Sequence, residues 1–184
     1  MSQETWEILC EMEADDVELQ LALQCAPLIT GLKISNLLTI SPEGFTQVGR
    51  IVEGSVLSLY PLLETEEKMV ILLYREDRLE KYLKMPQVQK LLREAGYECD
   101  RLENILPVFC DRYETYAERG KPFPHELGLL LGYPPEDVEG FIRHQGKNSL
   151  CTGYWKVYAD KEGKQRLFEK YEYARENLIQ LLHY

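Results

Sequence analysis

The sequence predicts an α+β fold: a small, mostly antiparallel sheet of about four strands, about six helices and a long C-terminal helix. Two apolar runs, residues 55–63 and 68–74, are joined by a short charged linker, which is typical of an antiparallel hairpin. Most of the remaining chain has apolar residues at helical steps of three and four. The chain shows no internal repeat or low-complexity tract, so we expect residues 1–184 to form a single domain.

The first third is predicted to contain a helix, a short strand and the hairpin. Residues 4–24 have a helical apolar pattern, and Pro27 and Gly31 are expected to end it. Residues 37–40 are a short strand candidate. The second run of the hairpin, residues 69–74, is almost continuously apolar, which favours a strand that is covered on both faces.

Two helices separated by a proline are predicted next, followed by a third. Residues 78–95 have a helical pattern that Pro86 divides and Gly96 ends. Residues 102–116 carry one apolar stripe, so a further amphipathic helix is expected there.

The last third predicts a short helix ending at Gly132, a second helix that opens at Pro134 and Pro135, and a strand over residues 152–158. The acidic residues Glu136 and Asp137 complement the dipole at the start of that second helix. The final helix, from about residue 161, has the clearest periodicity in the chain.

Composition and charge exclude several classes of protein. An apolar fraction of 45% with 28% charged residues is normal for a globular chain. The net charge of -10 repels phosphate backbones and anionic membrane surfaces, so neither nucleic acid nor a membrane is an expected partner. The five widely spaced cysteines form neither a disulfide framework nor a zinc ribbon. With no signal peptide or membrane-spanning stretch, we expect a soluble, cytoplasmic protein with reduced thiols.

His125 and Glu126 are the first candidate catalytic residues. They stand at the predicted start of a helix, where free N–H groups and a positive field suit an anion or a thiolate. His125 could act as a base or a metal ligand, with Glu126 orienting a neighbour. The alternative is structural, with Glu126 as a dipole partner and His125 packed against the loop.

Two cysteines are the other catalytic candidates. Cys151 follows Lys147 and Asn148 at a loop-to-strand junction, where a nearby lysine could activate the thiol. Cys25 precedes Lys33 and Asn36. Either thiol could use His125 as its base, and the three residues together could bind a metal, although no metal site is predicted. The alternative for each thiol is a small buried apolar side chain.

Aromatic residues near the C-terminus suggest a binding surface. Tyr154, Lys156 and Tyr158 share one side of the predicted strand and could line a pocket for a flat ligand. The alternative is that the final helix covers this side. Trp155, on the other side, is most simply a core residue.

Two motifs mark the chain: Phe-Pro-His-Glu-Leu-Gly-Leu-Leu-Leu-Gly-Tyr-Pro at residues 123–134 and Gly-Tyr-Trp-Lys-Val-Tyr at residues 153–158. With the patterns at residues 25–37 and 146–153, they resemble a functionally uncharacterised bacterial family, a domain of unknown function with PHE and LGYP motifs. The family is found mostly in anaerobic Gram-positive bacteria. The resemblance implies no reaction or cofactor, but it marks matching positions as candidates. They are Cys25, Lys33, Asn36, His125, Glu126, Lys147, Asn148, Cys151, Trp155 and Lys156. Five of them, Lys33, Asn36, Lys147, Asn148 and Lys156, are candidates for ligand binding, together with Tyr154 from the predicted strand.

Three hypotheses for function follow. The leading one is an accessory or small-ligand-binding protein with a pocket near the helix start at His125. The second is a thiol-dependent enzyme that uses Cys25 or Cys151 with His125. The third is a metal- or cofactor-handling protein that uses the same residues as ligands. Substrate, cofactor, reaction and oligomeric state do not follow from the sequence.

Overall fold

The computed structural model describes residues 5, 13, 16–98, 101–119 and 123–182, without the side chains of residues 118 and 119. Outside these residues lies most of the part of the predicted first helix that precedes residue 16. Three further residues also lie outside them: Cys10, Cys99 and His183. The chain divides into two units, Met1–Arg75 with Glu169–Tyr184, and Glu76–Phe168. We call the first the sheet unit and the second the helical unit. The expectation of one domain stays a prediction.

The sheet unit is built on three antiparallel strands in the order β1-β3-β2. These strands are β1 (Ser35–Ile40), β2 (Ser58–Glu64) and β3 (Met69–Tyr74). The predicted hairpin is confirmed as the pair β2–β3, with Leu59 opposite Leu73. Every residue of β3 is buried, as the continuous apolar run predicted.

Helices cover one face of this sheet. Helix α1 (Val17–Ile29) and helix α2 (Phe45–Val52), which follows a 3-10 turn at Pro42–Gly44, contribute to one core with β1 and β3. The Asp16 side chain caps α1 by accepting hydrogen bonds from two first-turn N–H groups. The expectation that Pro27 ends this helix was wrong. A proline keeps a helical φ and removes one donor, so α1 continues to Ile29, and Gly31, with φ +79°, follows its end.

The helical unit begins with the three helices that the periodicity predicted. They are α3 (Glu76–Leu83), α4 (Pro86–Glu94) and α5 (Leu102–Arg119). Pro86 occupies the first position of α4, where its missing N–H costs no helical hydrogen bond. Gly96 ends α4 with φ +85°, in the left-handed region that glycine adopts freely.

The second half of the helical unit contains α6 (Leu127–Leu130), α7 (Pro135–Arg143) and a two-stranded hairpin, β4 (Cys151–Thr152) with β5 (Lys156–Val157). The prediction of one strand over residues 152–158 was wrong, because the chain reverses at Gly153–Trp155. A Cβ at Gly153 would lie 2.4 Å from the Phe168 ring, so this turn needs a glycine. Helix α8 (Lys161–Leu182) is the predicted long C-terminal helix.

The α+β fold class is confirmed, with eight α-helices, a three-stranded sheet and a two-stranded hairpin among the described residues. Across those same residues, none of the helices combines the length and the apolar character needed to cross a membrane.

Candidate functional site

A cleft of about 350 Å³ opens in the helical unit between the start of α6, helix α7 and the β4–β5 hairpin. We call it the aromatic cleft. Its lining includes three of the predicted candidates, His125, Tyr154 and Lys156. The rest of the lining is mainly apolar or aromatic: Phe123, Leu127, Gly128, Leu131, Tyr133, Val138, Phe141, Thr152, Gly153 and Trp155.

Two groups of rings contribute to the cleft. In the first, His125 lies between Phe123 and Phe141, with ring centroids 6.0 and 5.3 Å away. In the second, Tyr133 stacks on Trp155 with centroids 4.7 Å apart and an angle of 27° between the ring planes. Because both groups line one cavity, a planar molecule inside it has ring faces and edges available on more than one side.

The second group of rings is held in place by hydrogen bonds. Tyr82 donates from its hydroxyl to the carbonyl of Tyr133 at 2.5 Å, and the Tyr133 hydroxyl donates to the carbonyl of Tyr154 at 3.4 Å. Phe168 closes the group, with its ring edge-to-face against Trp155 at 4.7 Å. Burial raises the pKa of Tyr133 to about 12, so this hydroxyl stays neutral at physiological pH.

Asp137 ties the hairpin to α7. Its side chain is 1% exposed, and Oδ2 accepts a hydrogen bond from the Trp155 indole N–H at 2.8 Å. Oδ1 accepts two more, from the backbone N–H groups of Tyr158 at 2.7 Å and Ala159 at 3.0 Å. Three donors therefore satisfy one buried carboxylate, which fixes the hairpin and Trp155 against the helix.

His125 presents an imidazole to the cleft without a hydrogen-bond partner among the described residues. The side chain is exposed, and it contacts the two flanking phenylalanine rings. The predicted position at a helix start is correct, since α6 begins two residues later. Both ring nitrogens are therefore available to a ligand.

Lys156 is held at the edge of the cleft by the turn that follows α7. Its Nζ donates to the carbonyl of Gly146 at 2.7 Å and lies 5.9 Å from the centre of the Phe141 ring. Gly146 has φ +71°, and its N–H donates a hydrogen bond to the carbonyl of Phe141. In this turn after α7, the carbonyl of Gly146 itself faces the lysine.

Glu126 has its charge balanced inside the helical unit. The carboxylate is 8% exposed and pairs with the Arg112 guanidinium at 2.8 Å. It also accepts a hydrogen bond from the Tyr97 hydroxyl at 3.1 Å, and Arg112 donates to the carbonyl of Ala95 at 2.7 Å. These contacts connect the segment before α6 to α5 and to the end of α4, so Glu126 positions the chain on which His125 lies.

The remaining candidates of the helical unit do not line the aromatic cleft. Lys147 and Asn148 are exposed in the turn before β4, and Asn148 has φ +57°. Cys151 is half-buried in β4, and within the described residues its thiol has no side-chain hydrogen bond. Tyr158 packs instead against Gly140, where an added Cβ would lie 2.5 Å from the tyrosine.

The candidates of the sheet unit form a separate buried cluster. Asn36 accepts a hydrogen bond from Lys33 Nζ at 2.5 Å and donates to the carbonyl of Gln24 at 2.6 Å. Its amide also contacts the Cys25 sulfur at 3.7 Å. Burial raises the pKa of the Cys25 thiol to about 12 and lowers the pKa of Lys33 to about 8. At neutral pH this thiol is protonated, and a protonated thiol is a weak nucleophile.

The described residues contain neither a metal-binding cluster nor a disulfide. In the described ranges, no group of three or more His, Cys, Asp or Glu side chains is arranged to hold a metal ion. Their cysteines, Cys25, Cys110 and Cys151, are free thiols.

Sequence reasoning missed four residues that build the aromatic cleft. The sequence pattern assigns Asp137 only to the helix dipole and Trp155 to the core, although the family resemblance also marks Trp155 as a candidate position. Tyr133 and Phe141 were not proposed as lining residues. One signal was available, since both Tyr133 and Trp155 lie inside the two motifs that mark the chain.

Comparison with known proteins gives one family match. The family model described as protein of unknown function (DUF3793) matches residues 21–184, a range that includes every candidate named above. Neither the curated proteins nor the solved structures contain a match.

Proposed function

The chain belongs to the DUF3793 family of proteins of unknown function, and from its geometry we propose that it binds a small molecule in the aromatic cleft. The expected ligand is flat and largely apolar. The resemblance to a domain of unknown function is thereby confirmed. The family's bacterial range stays a prediction.

The proposal is carried by one observation: six aromatic side chains, counting His125, line a cavity of small-molecule size. A volume of about 350 Å³ lies at the lower end of the range for ligand pockets, which suits a bicyclic rather than a drug-sized molecule. Rings prefer offset-stacked or edge-to-face partners, so a planar guest gains more from these walls than a branched aliphatic one.

Rigid support for the walls favours binding further. Asp137 fixes the Trp155 indole with one hydrogen bond and the chain after β5 with two more, and the Tyr82 hydroxyl fixes the backbone of Tyr133. A wall that is already ordered loses little conformational entropy when a ligand arrives. Glu126 contributes in the same way by holding the segment that carries His125. In this proposal Tyr154, His125 and Lys156 contact the ligand, and Glu126 is a positioning residue.

We place this activity in the cytoplasm, without nucleic acid or membrane as a partner. The free thiols of Cys25, Cys110 and Cys151 suit a reducing compartment. A net charge of -10 disfavours phosphate backbones and anionic lipid surfaces.

The test uses Trp155 as the reporter. The chain has two tryptophans, and Trp6→Phe leaves Trp155 as the only one. The 2-carboxamides of naphthalene, indole and quinoline, all neutral and planar, are titrated into this full-length variant. We expect saturable quenching by at least one of them. Phe141→Ala should weaken its binding about tenfold, because it removes one ring from the wall.

Two further variants make the test specific to the cleft. Thr152→Phe adds bulk to the lining and should abolish binding, whereas Ile142→Ala changes an exposed neighbour of Phe141 outside the lining and should leave it unchanged. The proposal is overturned if neither the three carboxamides nor naphthalene-2-carboxylate quenches the fluorescence of Trp155 at concentrations up to about 1 mM. It is equally overturned by binding that Thr152→Phe does not alter.

A further inference from the structure

The charge of the aromatic cleft is opposite in sign to that of the chain. The sequence has a net charge of -10, yet the cleft lining contains no aspartate or glutamate among its described residues. Lys156 is the cationic residue of the described lining. Lys156 is exposed at the edge of the cleft, and a charge at a protein surface beside apolar walls attracts an anion more strongly than the same charge does in open water.

The Lys156 ammonium is already oriented for a ligand. One of its three donors is used by the carbonyl of Gly146 at 2.7 Å, and among the described residues no other hydrogen-bond or ion-pair partner is present. Two N–H donors therefore remain. Because the carbonyl fixes Nζ near the Phe141 ring, less side-chain entropy is lost when an anion binds than for a mobile surface lysine.

The neighbouring cavity has the opposite electrostatic character. It has a volume of about 410 Å³ and shares Phe123 and His125 with the aromatic cleft. It is lined by two carboxylates, Asp111 and Glu126, and one guanidinium, Arg112, which Glu126 already pairs. An anion is therefore repelled from that cavity and directed to the Lys156 side of the shared wall.

We propose that the ligand of the aromatic cleft is a planar aromatic anion, with its rings against the aromatic walls and its carboxylate or phosphate on Lys156. This inference rests on the proposed function and adds the chemical class of the ligand. Lys156 is then the residue that determines specificity, because it separates an anion from a neutral molecule of the same shape.

The test compares naphthalene compounds that carry a charged or a neutral group at the same ring position. Naphthalene-2-carboxylate, 2-naphthyl phosphate and naphthalene-2-carboxamide are titrated separately into the full-length Trp6→Phe variant. We expect at least one anion to bind about tenfold more tightly than the carboxamide, which is the effect of one charge-assisted hydrogen bond. Which anion has the lower Kd distinguishes a carboxylate ligand from a phosphate ligand.

Three lysine variants separate charge from folding. Lys156→Gln should make the anions and the carboxamide bind equally, with the Kd of the carboxamide unchanged. Lys156→Arg keeps the charge and should keep the preference for anions. Lys147→Gln removes the same charge from an exposed residue outside the lining and should also keep the preference.

Failure of this inference is distinct from failure of the proposed function. If the anions and the carboxamide bind equally and Thr152→Phe abolishes both, the cleft binds ligands but Lys156 does not select anions. A preference that survives Lys156→Gln also overturns the inference. If none of the three probes binds, both this inference and the proposed function are wrong.

Discussion

Replacing Asp137 tests how the aromatic cleft is held together. In Asp137→Asn the side chain keeps its size, but only one of its two terminal atoms can still accept hydrogen bonds. If that oxygen faces the N–H groups of Tyr158 and Ala159, the new NH₂ group faces the indole N–H of Trp155, and two donors oppose each other.

The magnitude follows from the three bonds. Losing the charge-assisted bond to Trp155 costs about 2 kcal/mol, and the two backbone bonds each weaken by about 1 kcal/mol when their acceptor becomes neutral. Asp137→Asn should therefore lower the free energy of unfolding by about 4 kcal/mol. Glu139→Gln is the matched control on the same helix and should cost less than 1 kcal/mol, because the ion pairs of Glu139 with the described residues Lys90 and Arg143 are exposed.

The assay is urea unfolding followed by far-UV circular dichroism for the Asp137→Asn, Trp155→Phe and double variants. Since Trp155→Phe removes the indole donor, we expect a coupling energy of about 2 kcal/mol in this double-mutant cycle. A coupling energy near zero, or an Asp137→Asn variant as stable as Glu139→Gln, would refute the claim that this carboxylate holds Trp155 against α7.

Two further predictions concern stability. Burial lowers the pKa of Lys33 to about 8 from its ordinary 10.5, so between these values the unfolded chain binds a proton that the folded chain does not, and stability rises with pH. Urea titrations of the wild type and Lys33→Met between pH 7.5 and 10.5 measure this effect. The wild-type free energy of unfolding should rise by up to about 3 kcal/mol relative to that of Lys33→Met. A difference between the two proteins that does not change with pH contradicts this. Gly153→Ala should lower the free energy of unfolding by about 1–3 kcal/mol, because its Cβ meets the Phe168 ring, whereas Gly49→Ala, with open space around it, should be neutral or stabilising. Equal thermal unfolding midpoints for the two alanine variants would show that Phe168 adapts without cost.

Elements with a long periodic pattern were predictable from the sequence. The β2–β3 hairpin, the division at Pro86 and the long C-terminal helix each follow from repeated apolar spacing or from a proline with a fixed φ. These signals are local, so they persist whatever the rest of the chain does.

The β4–β5 hairpin was not predictable in the same way. Each strand has only two residues, and the alternation of Tyr154, Lys156 and Tyr158 imitates one longer strand. The reversal depends on the approach of Phe168 to Gly153, a contact between separate elements that no local pattern encodes.

The candidate site was predictable in its polar residues and less so in its walls. His125 and Lys156 attract attention because their chemistry is unusual in an apolar setting, and both line the cleft. Asp137 has the sequence appearance of any acidic first-turn residue. Its role appears only when Trp155 and the chain after β5 are brought to it by folding.

The most direct test of ligand binding in the aromatic cleft is an isotope-filtered NMR experiment with naphthalene-2-carboxylate and the labelled full-length protein. We predict intermolecular nuclear Overhauser effects from the naphthalene protons to the rings of Phe141 and Trp155. We also predict that Thr152→Phe removes them. Effects confined to side chains outside the cleft lining, with none to Phe141 or Trp155, would contradict the proposed function.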